Sequence, residues 1–387
     1  MRVFLDHNAG TAVRPEAAAA ISRVLSGGEG NPSSVHRAGQ WARRTLENAR
    51  AQVADLIDAD AREIVFTSGG TESNNLAIEG VLRRAGSRRR VVTSAIEHSS
   101  ILAPLMNLES RGFEIVRIRP DRDGRVSPCH VVETIDESTA LVTLGLVNAE
   151  VGVIQNLDGI AARAADAGAV FHLDAAQAAG RVAIDVAALD CDLMTLSGHK
   201  IGAPAGIGAL YIRDDCEIAP ILLGGPQERG RRAGTQNLVG AAAFGAAAQA
   251  ARIAMASERE RVRGLSERLL SGLMTRIPGL RLNGPADGRL ANTLNLTFPR
   301  VLGESMLIAL DLEGVEVSMG SACAAGAVEP SHVLIAMGRS AAEARSSLRM
   351  SLGWNTTSEE IAAAIDIIPR VWRRVAAAEP AEIGEAV

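Results

Sequence analysis

The sequence predicts an α/β fold, a mainly parallel sheet with helices on both faces, plus a smaller α+β domain. Three observations lead there. From about Pro15 to Arg213, short apolar runs rich in β-branched residues alternate with amphipathic stretches of helix length, the pattern of strand–helix units in a parallel sheet. From Leu280 the texture changes to scattered short strands between two helices. The 387 residues are enough for one large and one smaller core.

Taken in order, strands are expected over 63–67, 90–94, 114–118, 140–147, 169–174, 193–197 and 207–212. Helices fill most of the gaps, at 41–57, 72–84 and 158–167. Asn237 to about Thr275 reads as one long helix, Ala- and Leu-rich first and then carrying Glu/Arg pairs, that links the domains. Beyond it, strands are expected at 294–298, 315–318 and 348–351, with helices at 304–312 and 358–374. The large domain is therefore placed at 15–257, and the small one at 1–14 with 258–387. The tail after Ala376 has little to bury.

Bulk properties narrow the function. The formal net charge of -5 argues against a nucleic-acid partner, which a basic surface would attract. Cys129, Cys191, Cys216 and Cys323 lie far apart with no Cys-x-x-Cys, so neither a disulfide framework nor a metal site is expected. The apolar tract from Leu238 to Ala248 is too short for a membrane span. The chain opens directly on Arg2-Val-Phe-Leu-Asp6 without a basic and apolar leader. A cytoplasmic protein, not associated with a membrane, is expected.

The chemistry gathers at strand ends. The run 193–197 delivers Ser197, Gly198, His199 and Lys200 to a strand's C-terminal end, where sites of open α/β sheets collect. A lysine there is costly to desolvate. A second run ends on Asp174, with Gln177 one turn on. A lysine able to form a Schiff base, with an acid to pair a pyridinium nitrogen, is the minimum equipment of a pyridoxal phosphate (PLP) enzyme. The plainer reading is two strand ends with solvated polar residues. In Thr67–Asn75 a strand runs into two glycines, Gly69 and Gly70, and then Thr71 at a helix start, an anion site or simply a capped helix. His98 follows another strand and is either a satisfied histidine or one that stacks on a ring and moves protons. Cys323, among small residues, is either an exposed thiol or a small buried hydrophobe; the other three cysteines read as structural. Arg349, among apolar neighbours, grips an anion such as an α-carboxylate, or closes an internal salt bridge.

Together these motifs resemble the cysteine desulfurases of the NifS/IscS type, in the class V aminotransferase group. The likeness shows in Asn31-Pro-Ser-Ser-Val-His36, in 66–78, in His172-Leu-Asp-Ala-Ala-Gln177 and in Ser197-Gly-His-Lys200. It continues through 227–237, Gly320-Ser-Ala-Cys323, Glu329-Pro-Ser-His332 and 348–353. The resemblance implies a PLP-dependent aminotransferase-like fold, fold type I. It implies that Lys200 holds PLP and moves protons, that Asp174 pairs the pyridinium, that Gln177 meets the ring oxygen and that His98 stacks on the ring. Gly70, Thr71, Ser197 and His199 would hold the phosphate, and Thr235 would reach the phosphate of a partner subunit, which makes the active unit a homodimer. Arg349 and Asn148 would bind the L-cysteine substrate. Cys323 would take its sulfur as a persulfide, leave L-alanine, and hand the sulfur to an acceptor such as an iron–sulfur scaffold protein; transient cluster or sulfur handling would be confined to this cysteine. A selenocysteine lyase, or another PLP lyase or aminotransferase of the same fold, is the alternative. The chain departs from the family pattern at Gly10, in 201–206, which lacks the usual tyrosine and second lysine after Lys200, at Ala324 and Ala325, and at Ala149, where an Asn-Asn-Glu is usual.

Overall fold

Runs of Val, Ile, Leu and Phe form the strands, because such side chains suit a pleated sheet buried on both faces. The computed structural model describes residues 2–28, 30–320 and 329–378. A two-residue strand, β1 (Val3–Phe4), comes first. A seven-stranded sheet then uses β2 (Ile64–Thr67), β3 (Arg90–Ser94), β4 (Glu114–Ile118), β5 (Thr139–Gly145), β6 (Val170–Asp174), β7 (Leu193–Ser197) and β8 (Gly208–Ile212). Their spatial order is β2-β8-β7-β6-β5-β3-β4. All neighbours run parallel except β8, which is antiparallel to both β2 and β7. Each strand of this sheet starts and stops within two residues of the expected one. The reversal at β8 has a physical cause: the link from Ser197 to Gly208 is shorter than a parallel crossover requires.

Helices cover the sheet. They are α1 (Pro15–Ser26), α2 (Arg37–Asp55), α3 (Gly70–Leu82), α4 (Ser99–Ser110), α5 (Pro128–Thr134), α6 (Ile160–Ala167), α7 (Val186–Leu189) and the long α8 (Leu238–Arg276). The small-residue start of α8 lies against α1 and α2. A Cβ on Gly245 would meet Ala49 Cα at 2.7 Å, so here two helix backbones come nearly into contact. Among the described residues α8 alone is long and apolar enough to cross a membrane, yet most of that stretch is buried within the fold; it is a core helix.

The remaining elements are β9 (Arg281–Asn283), β10 (Thr293–Thr297), α9 (Gly303–Leu312), β11 (Val315–Glu316), α10 (His332–Ala336), α11 (Ala341–Arg345), β12 (Ser347–Ser351) and α12 (Ser358–Ala378). A three-stranded antiparallel sheet has the order β12-β10-β9, and β1 pairs in parallel with β11. Val3 and Leu5 share a hydrophobic core with Val262, Leu269, Phe298, Met350 and Ile361, separate from the cores on the two faces of the large sheet. The short β1 and β9 are not foreseen, since two or three residues are too few to show a period.

Candidate active site

The C-terminal ends of the parallel strands open on one cleft of about 510 Å³, the size of a small-molecule site. Gly70, Thr71, His98, Asn148, Asp174, Gln177, Ser197, His199, Lys200 and Arg349 all line it. Thr235 does not: it is exposed, outside the cleft of its own chain. Cys323 lies outside the described residues; Gly320, the last described residue before it, is on the cleft wall.

One end of the cleft is built for an anion. Gly69 sits at φ 156° and ψ -179°, a region open essentially to glycine alone, and this turns β2 directly into α3. The N–H groups of Gly70 and Thr71 then lead the helix with no earlier turn to bond to. Ser197 Oγ and His199 Nδ1 lie 3.1 Å apart beside them, and a Cβ on Gly70 would rest 3.5 Å from Ser197 Cβ. Burial, with Lys200 adding to it, pushes His199 down to about 4, so its imidazole is neutral.

The other end holds a carboxylate without a cation. Asp174 Oδ1 accepts Ala176 N–H at 2.9 Å and Oδ2 accepts Asn74 Nδ2 at 2.8 Å; among the described residues no Arg or Lys pairs with it. Asn74 Nδ2 also donates to Ser100 Oγ at 2.7 Å, while its own Oδ1 is buried without a partner among the described residues. Ser100 Oγ lies 2.7 Å from His98 Nδ1, which accepts Ser100 N–H at 3.1 Å. The ring proton of neutral His98 is therefore on Nε2. Burial holds His98 below the ordinary imidazole range, with Lys200 and His332 adding to this and Asp174 opposing it. Asn74 thus joins two expected site residues that are themselves 76 positions apart in the chain. Sequence reasoning missed it; the only signal was its place one turn after Gly70.

Between the two ends, Lys200 Nζ donates to the carbonyls of Asn8 and of Ala9, the latter at 3.0 Å. Burial first, then Arg181 and Arg349, lowers its amine to about 8 against the opposing pull of Asp6 and Asp174. It is the sole lysine of the sequence. Gln177 Nε2 donates to Asn8 O at 3.0 Å, and Gln177 Oε1 accepts from Arg181. Asn8 and Arg181 were also missed, because Asn8 arrives from the other end of the chain.

The two residues expected on the substrate already have partners. Arg349 Nη2 pairs with Asp6 Oδ1 at 2.7 Å and Nη1 reaches Ala149 O at 3.3 Å, but its buried Nε has no partner among the described residues. Asn148 donates to Ile96 O and accepts Glu150 N–H and Val151 N–H, so its amide shapes the turn that forms the cleft wall. Of the cysteines read as structural, Cys191 and Cys216 are buried, and burial raises their thiols to about 12. Cys129 differs: it is exposed on α5, because that face of the helix covers nothing.

A model of the class V aminotransferase family matches residues 3–363. The chain belongs to this family. Within the family it resembles cysteine desulfurase 2 of Trichormus variabilis, 41% identical over 98% of this chain and 95% of that one. The cysteine desulfurase IscS of Dictyoglomus turgidum is 40% identical over 98% and 96%. A solved structure described as a NifS-like protein superposes with a TM-score of 0.91 at 32% identity, covering 97% of this chain and all of the other. The family's cofactor is PLP, and the cleft fits it. The uncompensated Asp174 suits a pyridinium, the start of α3 with Ser197 and His199 suits a phosphate, and the one lysine lies between them.

Proposed function

We propose that this chain takes the sulfur of L-cysteine onto Cys323 as a persulfide and releases L-alanine. The observation that carries the reading is the sole lysine, its amine made easier to deprotonate by burial, between an unpaired carboxylate and an anion cradle. Bound there, PLP supplies the electron sink that makes the substrate's carbon–sulfur bond labile. Lys200 holds the cofactor through its amine and carries the substrate proton. Asp174, steadied by Asn74, keeps the pyridine nitrogen protonated; His98 stacks on the ring and Gln177 donates to the ring oxygen. Gly70, Thr71, Ser197 and His199 bind the phosphate, joined by Thr235 of a second copy. Arg349 orients the substrate, and Asn148 shapes the cleft wall beside it. The Cys323 thiolate attacks the substrate sulfur; a sulfur–sulfur bond forms, the carbon–sulfur bond breaks, and the electron pair left on carbon takes a proton to give alanine.

The reading includes a homodimer that acts in the cytoplasm and passes its sulfur to an acceptor protein such as an iron–sulfur scaffold. It also includes a division into 15–257 and 1–14 with 258–387, supported by the separate core that Val3 and Leu5 share with residues from Val262 onward.

Borohydride reduction of the cofactor-loaded protein tests the reading, because only one lysine is available. Peptide mass spectrometry is expected to find the adduct on Lys200, and Lys200→Ala to release no alanine from cysteine. Cys323→Ser is expected to keep the cofactor and gain no sulfur. Sulfur appearing on Cys129, Cys191 or Cys216 instead would overturn the assignment of the acceptor cysteine.

A further inference from the structure

Arg181 is a half-buried cation with no acid beside it among the described residues. Its Nη1 donates to Asn8 Oδ1 at 3.0 Å, to Gln177 O at 3.4 Å and to Gln177 Oε1; its Nη2 donates to His7 O at 3.3 Å and Lys200 O at 3.4 Å. Every partner is a neutral oxygen. It also lines a second, small cavity of about 70 Å³ that shares Lys200 with the main cleft. No relief comes from that side: Glu258 is taken by Arg14 through two bonds of 2.8 and 2.7 Å, and Arg259 adds a further positive charge. A desolvated charge without a counter-ion is costly, so its retention points to a use.

The surroundings of Lys200 single out Arg181. Asp6 and Arg349 face the lysine as an ion pair of 2.7 Å and largely cancel. His199 and His7 are both held down to about 4 by burial and are neutral, and burial keeps His98 low as well. Of the two acids that act on the lysine among the described residues, Asp174 is the one without a cation, and a bound pyridinium would occupy it. Arg181 is left as the unmatched charge, in contact with the lysine's own carbonyl. The same guanidinium occupies Gln177 Oε1, so the amide can offer only its N–H side elsewhere.

We propose that Arg181 is a positioning residue whose uncompensated charge makes the Lys200 amine easier to deprotonate. The use this serves rests on the desulfurase reading, since an amine must be unprotonated to hold a carbonyl cofactor or take a proton. The charge effect itself stands apart from that reading.

The sole lysine makes the test direct. With 13Cε-labelled lysine in the full-length, cofactor-stripped protein, one NMR signal reports Lys200, with a midpoint expected near 8. Arg181→Gln is expected to raise that midpoint by about one unit, and to move the acidic limb of alanine release by the loaded enzyme the same way. Arg181→Lys keeps the charge and is expected to leave the Lys200 midpoint unchanged, its second signal being assigned in a Lys200→Arg background. An unmoved midpoint in a cooperatively melting Arg181→Gln overturns the proposal. So does an equal rise in Arg181→Lys, which also decides the matter should the glutamine variant not fold. Failure of borohydride trapping at Lys200 would instead strike the desulfurase reading and leave the titration result intact.

Discussion

Glu97 is buried beside Asp174, with Ser94 Oγ 2.5 Å from its Oε1, and burial pushes its carboxyl up to about 7 from an ordinary 4.5. The folded state thus keeps a proton that the unfolded chain has lost. The stability tied to that proton is full below pH 4.5 and disappears as pH rises through 7, about 3 kcal/mol in all. Glu97→Gln removes the titration. Urea unfolding at pH 5 and pH 8 is expected to show the variant gaining on the wild type at the higher pH; a difference that does not change with pH would refute this. Ala149 makes a second case. Its carbonyl accepts from Asn8 Nδ2 at 3.0 Å and from Arg349 Nη1, while Asn148 beside it is spent on the turn. An amide at 149 would add one hydrogen bond to a charged group, about 1.5–3 kcal/mol, or about ten- to a hundredfold in rate. Ala149→Asn is therefore expected to raise kcat/KM for cysteine at least severalfold in a sulfide-release assay. No gain would mean that Asn8 and Arg349 already do that work.

Among elements, the 227–237 segment depends on one buried ion pair. Glu228 and Arg229 lie at φ 45° and 56°, costly for residues with a Cβ. Arg50 on α2 holds Glu228 through bonds of 2.6 and 3.0 Å, and Glu228 Oε2 accepts the Phe66 N–H of β2 at 2.9 Å. Thr235 hangs from this anchor. Glu228→Gln leaves buried Arg50 with only the half-exposed Glu47, 3.2 Å from its Nε, and chemical denaturation is expected to show a loss of about 3 kcal/mol. A loss under 1 kcal/mol would show that the segment is held by other means. The two partners are 178 positions apart, so no local pattern announces the pair.

For the whole molecule, the proposed homodimer would use the exposed Thr235. If it completes a neighbour's phosphate site, sedimentation is expected to find a dimer, and Thr235→Ala to weaken PLP retention on dialysis without changing the melting temperature of the cofactor-free protein. A fully active monomer would end that reading.

The order of strands and helices was legible because each element advertises itself locally: β-branched runs of five residues, amphipathic helices, and glycines where a strand must turn into α3. The same local signals placed Lys200, Asp174, Gln177, His98 and Gly70 at strand ends, and strand ends in a parallel sheet share one side. Tertiary structure alone decided what those residues touch. Asn8 reaches Lys200 across 192 positions, Asp6 reaches Arg349 across 343, and Asn74 bridges Asp174 and Ser100. Whether a buried charge is matched, as Arg349 is by Asp6, or left unmatched, as Arg181 is, depends on which distant segments fold against it. Periodicity and spacing carry no record of that, because electrostatic and hydrogen-bonding partners are chosen by distance in space and not by distance along the chain.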